Sequence, residues 1–117
     1  MRLTEIAFET GVPVDGYGPG FFRIGGEVIE GAVLIAPGGV ATWGGLEDAD
    51  PLEALVGKVD ILFLGTGAET AHPPRDLRER LESAGLAIES MASPSAARTY
   101  NVLLSEGRRV AVALLPV

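Results

Sequence analysis

Hydrophobic positions recur with two different patterns along this chain, and the change comes shortly before its middle. In the first part, short apolar runs alternate with turn residues. Leu3, Ile6 and Phe8 precede Gly11-Val12-Pro13, and Gly16-Tyr17-Gly18-Pro19-Gly20 offers several positions suited to tight turns. Phe21, Phe22 and Ile24 then lead into Gly25-Gly26 and Glu27-Val28-Ile29, a two-glycine hairpin pattern. A further apolar run, Ala32-Val33-Leu34-Ile35-Ala36, is closed by Pro37-Gly38-Gly39. This part reads as a β-meander extending to about Trp43.

After Trp43 the pattern becomes one of strands alternating with helices, as in parallel α/β units. Residues 50–57 predict a short helix, with Asp50 as N-cap, Pro51 at the first position and Gly57 at the end. Residues 59–64 are apolar almost without interruption, so both faces of that strand should be covered. Residues 74–84 predict an amphipathic helix. Leu77, Leu81 and Ala84 fall on one face while Arg78, Glu79, Arg80 and Glu82 face water, and Gly85 ends it. Residues 86–89 form a short strand. Ser93-Pro94 then open a second helix as cap and first residue, with Ala96, Tyr100, Leu103 and Leu104 as its apolar stripe. Gly107 closes that helix, and residues 109–115 are the last strand. The reading is a single α/β domain over residues 1–117 in three layers, with a central mixed sheet, an N-terminal β-meander and a C-terminal half resembling βαβαβ.

Composition narrows the chemistry. The 117 residues are 47% hydrophobic, enough for one buried core and too apolar for a disordered chain. A net charge of −7, without a basic stripe, argues against nucleic acid as a partner. Cysteine is absent, which removes disulfides, thiolate metal sites and a cysteine nucleophile. The single histidine, His72, reads as a loop or capping residue rather than a ligand. No cofactor or metal is expected. The opening residues carry no signal-peptide core, and no apolar run reaches the roughly 20 residues of a membrane-spanning helix. The expectation is therefore a cytoplasmic protein.

The strongest candidate site is Gly65-Thr66-Gly67, at the carboxyl end of a central strand, where ligands of open α/β sheets tend to bind. Glycines there let an anion approach the backbone, although the same residues also make an ordinary strand-to-loop turn. Gly16-Tyr17-Gly18-Pro19-Gly20 has the wrong context for a dinucleotide loop and reads as a turn. In the second helix, Arg98-Thr99-Tyr100-Asn101 places a cation, a hydroxyl, a phenol and an amide within one turn. Arg98 and Asn101 share a face, suited to anchoring the Gly65–Gly67 loop or to binding a partner, whereas Tyr100 belongs to the apolar stripe. Glu5, Glu9, Asp15, Glu47, Asp48 and Asp50 read as solvated acids, Asp60 as an arginine's partner and Trp43 as a core residue.

Gly16-Tyr17, Phe22, Ile24, Pro37, Trp43, Gly65-Thr66-Gly67, Pro74, Gly85, Glu89, Met91, Ala96, the run from Arg98 to Leu103, Glu106, Arg109-Val110 and Ala113-Leu114 together resemble a widespread small-domain family. Its eukaryotic member is assembly factor 3 of mitochondrial NADH:ubiquinone oxidoreductase, respiratory complex I. The sequence departs from the family pattern at Ser93, Pro94 and Ser95, and Ala97 stands where a cysteine is frequent, which removes any thiol role. The resemblance implies a three-layer fold with helices on one side of the sheet and β-structure plus a helix on the other, one strand running antiparallel to the rest. It also implies a non-enzymatic interaction protein with a protein partner, such as a respiratory-complex assembly intermediate, acting at the periphery of the inner membrane. A homodimer through an edge strand is compatible with it. The alternative is a small-molecule binding domain or enzyme that holds an anion between Gly65-Thr66-Gly67 and Arg98.

Overall fold

A computed structural model describes residues 11–117. Leu3, Ile6 and Phe8, expected in a strand, and the acids Glu5 and Glu9 lie outside the described residues.

Three strands, β1 (Val14–Gly18), β2 (Phe21–Ile24) and β3 (Glu27–Glu30), pair antiparallel in the order β1-β2-β3. Both connections follow from their glycines. Pro19-Gly20 joins β1 to β2 with Gly20 at φ 79°, and Gly25 (φ 59°) and Gly26 (φ 84°) close the β2–β3 hairpin, where two successive positive φ angles suit the strand twist. The register shifts between Val14 and Gly16, a bulge that leaves Asp15 without a partner on β2.

The expected meander does not continue as one sheet to Trp43. The next hairpin, β4 (Val33–Ala36) and β5 (Gly39–Thr42), leaves the small sheet and joins a five-stranded one of order β5-β4-β8-β6-β7, with β6 (Ile61–Gly65), β7 (Ala87–Met91) and β8 (Val110–Leu114). The cause lies in side-chain alternation. Val33 and Ile35 point into one core and Leu34 into another, so β4 has two apolar faces and needs cover on both. The β6–β8 and β6–β7 pairs are parallel and the β4–β8 and β4–β5 pairs antiparallel. Within this sheet β4 alone runs against the rest.

Helices α1 (Asp50–Glu53), α2 (Arg75–Ser83) and α3 (Ser93–Ser105) complete the three layers. The chain passes from β6 through α2 outward to β7, then through α3 back across β6 to β8. Right-handed crossovers in opposite directions place α2 and α3 on opposite faces of the sheet. On one face Leu62, Leu64, Ala111 and Ala113 meet Leu52 and Leu55 beside α1 and Leu77 and Leu81 of α2. On the other, Phe63, Val110, Val112 and Leu114 meet Ala96, Ala97 and Tyr100 of α3 and Phe22 and Ile24 of the small sheet. Complete burial of a leucine such as Leu81 contributes about 1.5–3 kcal/mol.

Two helix starts differ from expectation. The segment after Asp50 is helical only to Glu53, with Ala49 rather than Asp50 at the cap position. Beyond it the backbone turns through bonds of shorter span, Leu55 N–H to Leu52 and Val56 N–H to Glu53, until Gly57 at φ 81°. Leu52 and Leu55, three residues apart and both buried, suit that tighter winding. For α3, Ala92 occupies the cap position and Ser93 is the first helical residue. Its hydroxyl makes tertiary bonds instead. No helix among the described residues is long and apolar enough to cross a membrane.

Candidate functional site

The carboxyl end of β6 is where the connections diverge, the loop after β6 leading to one face and the loop after β7 to the other. Open α/β sheets commonly bind ligands at such a point. Here the protein fills it with its own groups. The Ser93 hydroxyl accepts the Gly67 N–H at 2.9 Å and donates to the Leu115 carbonyl at 2.6 Å. The Ser93 N–H returns to the Gly67 carbonyl at 2.7 Å, the Thr66 N–H donates to Met91 at 2.9 Å and the Leu115 N–H to Gly65 at 3.0 Å. Three chain segments, after β6, β7 and β8, are thereby stitched together.

Each residue of the glycine motif has its own part in this closure. A Cβ on Gly65 would lie 2.7 Å from Leu114 Cδ2 and 2.9 Å from the Ser93 Cα, so glycine is what lets the start of α3 sit against the strand end. Gly67 has φ 96°, a left-handed conformation that side chains disfavour. The Thr66 hydroxyl accepts the Ala71 N–H at 3.0 Å, with the Glu69 carbonyl at 2.7 Å and the Met91 carbonyl at 3.1 Å as acceptors for its single proton. These N–H groups and hydroxyls are occupied by protein partners, and Ser93 stands where an anion would have to approach Gly67.

The four residues expected on the second helix separate by direction. Tyr100 is fully buried in the core and donates to the Val12 carbonyl at 3.0 Å. Burial pushes its phenol well above the ordinary tyrosine value of 10.0, with the hydrogen bond to Val12 acting the other way. Thr99 points its hydroxyl at the Met91 sulfur, 3.6 Å away. Asn101 does not anchor the Gly65–Gly67 loop. Its amide accepts the Val14 N–H and donates to the Val14 carbonyl, both at 2.8 Å, matching the edge of β1 as a neighbouring strand would.

Arg98 is exposed and lines a groove of about 280 Å³ between β1 and α3, together with Val14, Tyr17, Pro94, Asn101 and Val102. Gly65, Thr66 and Gly67 do not line that groove. The structure thus brings Arg98 and Asn101 together on one helix face, as their spacing predicts, and gives the glycine motif a different neighbour, Ser93. Sequence reasoning took Ser93 for a helix cap. The signal that could have marked it is a small hydroxyl residue opening the helix that must cross directly over a strand ending in Gly65.

The remaining candidates have structural places. Trp43 is buried, with its indole N–H on the Asp48 carbonyl at 3.0 Å, and Asp60 pairs with Arg109 at 2.8 Å. His72 is exposed in the loop before α2. A second depression, of about 460 Å³, lies between Leu46, Ala49, Leu77 and Arg80, where Arg80 is held by Asp50 and Glu53. Among the described residues no three acidic or histidine side chains gather as a metal site would require.

The family described as protein of unknown function (DUF498/DUF598) matches residues 14–115. An uncharacterized protein of Rhodobacter capsulatus is 52% identical over 117 residues, spanning 100% of this chain and 94% of its own length. NADH dehydrogenase (ubiquinone) 1 alpha subcomplex assembly factor 3 of Danio rerio is 31% identical over 123 residues, which cover 99% of this chain and 71% of that protein. Among solved structures, the crystal structure of an outer membrane protein from Bartonella henselae superposes with a TM-score of 0.82 at 32% identity, covering 92% of this chain and 97% of the other.

Proposed function

The chain belongs to the DUF498/DUF598 family, and from that premise we propose that it is a non-enzymatic protein-interaction domain serving the assembly of a membrane respiratory complex. The observation that carries the reading is the likeness to the Danio rerio assembly factor, which extends over 99% of this chain rather than over one motif. The glycine motif is in keeping with it. The groups that would make the strand end a ligand site are spent on internal hydrogen bonds through Ser93, Thr66 and Leu115. The polar and apolar side chains left exposed on α3 and β1 are those of an interaction surface. In this reading the chain reaches the inner membrane by binding a protein partner.

The test is removal of the gene from the source organism, followed by separation of its membrane complexes on a native gel. Loss of full-size NADH:ubiquinone oxidoreductase, with smaller intermediates accumulating and both reversed by re-expression, is the expected result. Normal levels of the assembled complex would overturn the proposal.

A further inference from the structure

Three large apolar side chains are strongly exposed among the described residues, Tyr17, Val28 and Val102, and two of them border the same groove as Arg98. Tyr17 and Val102 are each 50% exposed. Exposed apolar surface beside a charged group is the usual composition of a docking patch, with the apolar contact supplying affinity and the charge fixing orientation. Arg98 is the one cation among the described residues that line the groove. Arg75, Arg78, Arg80 and Arg109 each face a carboxylate within 4 Å, whereas Arg98 has none at that distance among the described residues. The nearest acid in the groove lining, Asp15, turns one carboxylate oxygen to the Gly26 N–H at 3.0 Å.

We propose that this groove docks an extended segment of a partner protein, placing a carboxylate on Arg98 and an apolar side chain on Tyr17 and Val102. The inference deepens the assembly reading by naming the site and the chemistry of its partner. Pro94, Arg98 and Val102 succeed each other at four-residue intervals along α3, so the wall of the groove repeats about every 6 Å. In an extended strand, side chains on one face repeat every two residues, or about 6.6 Å. A segment with an Asp or Glu two residues from a Leu, Ile, Val, Met or Phe therefore matches Arg98 and Val102 in step. Strand addition at Val14 is closed off, because Asn101 already holds both of that residue's backbone groups. At that position recognition rests on side chains. A second copy of this chain is a poor occupant, since two molecules of net charge −7 repel at long range, and an anionic membrane surface is disfavoured for the same reason.

A photo-crosslinking residue tests this in cells of the source organism. Val102→p-benzoylphenylalanine reports on the groove, and Val28→p-benzoylphenylalanine, on the exposed face of β3, is the control. The expected result is a crosslink from position 102 only, to a peptide carrying the acidic and apolar pair two residues apart. Its yield should fall roughly ten-fold or more on adding Arg98→Glu and largely persist with Arg98→Lys, whose positive charge is retained. Circular dichroism of each variant checks that the fold is kept. No crosslink from position 102, one to lipid or to a second copy, a captured peptide without that pair, or a yield indifferent to Arg98→Glu would overturn the proposal. The two readings fail separately. A gene deletion that abolishes complex assembly, fully rescued by Arg98→Glu, removes the groove and keeps the assembly role. A deletion without effect, beside a charge-dependent crosslink, removes the assembly role and keeps the groove.

Discussion

The Ser93 hydroxyl accepts the Gly67 N–H at 2.9 Å, so the first residue of α3 closes the loop that follows β6. Ser93 is fully buried and its hydroxyl also donates to the Leu115 carbonyl, which leaves both its hydrogen-bonding roles filled. Ser93→Ala strands a buried N–H and a carbonyl without adding space for water. It should lower the unfolding free energy by about 1–3 kcal/mol, measured by urea denaturation.

Gly65 tests the packing side of the same closure. The added methyl of Gly65→Ala would meet the Ser93 Cα, which is backbone and cannot rotate away. A loss of about 1–3 kcal/mol is expected from overpacking, and Ser93→Ala should relieve it only in part, because it removes the Oγ that the new methyl would meet at 2.7 Å but leaves the Cα at 2.9 Å. A double-mutant cycle on these two positions checks both statements.

Tyr100 makes stability fall at high pH. Its phenol keeps its proton in the native state at pH values where the unfolded chain, titrating near 10.0, has lost it. The folded state then holds more protons than the unfolded one, so the unfolding free energy decreases as pH rises above about 10, by at most about 1.4 kcal/mol per unit from this group. Tyr100→Phe should remove that part of the slope. At neutral pH it should cost about 1 kcal/mol for the bond to Val12. Denaturation midpoints at pH 8, 10 and 11 for both proteins give the comparison.

Asn101→Ala removes both bonds to the backbone of Val14 and leaves the edge of β1 open. A loss of about 1–2 kcal/mol is expected, with faster hydrogen exchange at Val14 than in the central strand β8. Asn101→Asp keeps the acceptor for the Val14 N–H but sets a carboxylate against the Val14 carbonyl, so it should not restore full stability.

The Asp60–Arg109 pair supplies a contrast. Both side chains are about half exposed, at 47% and 61%, and water screens their attraction. Asp60→Asn should change stability by less than about 1 kcal/mol in the same denaturation assay, although Asp60 also donates its N–H to the Arg109 carbonyl at 2.8 Å, a bond the substitution keeps.

The α/β class and the alternation of strands and helices were legible in the chain because they follow from spacing. Leu77 and Leu81 lie four apart on the buried stripe of α2, residues 61–65 of β6 are apolar without a break, and glycines stand where Gly20, Gly25 and Gly26 take positive φ. Tyr100 in the core and Asn101 beside Arg98 also followed from helical period. The partner of Asn101 did not. Val14 lies 87 residues away, and nothing local in either segment encodes that approach.

What the sequence determined by itself is therefore the set of elements, their buried faces and the chemistry that the absence of cysteine excludes, since propensity, periodicity and composition are properties of the chain alone. Tertiary structure decided that the β4–β5 hairpin leaves the meander for the larger sheet, that Ser93 binds Gly67 rather than capping its own helix, and that Arg98 faces β1 and not the glycine loop. Each of these turns on which surfaces meet across the core. Sheet order and crossover handedness bring segments tens of residues apart within 3 Å, and a hydroxyl or an amide bonds to whatever group that packing sets beside it.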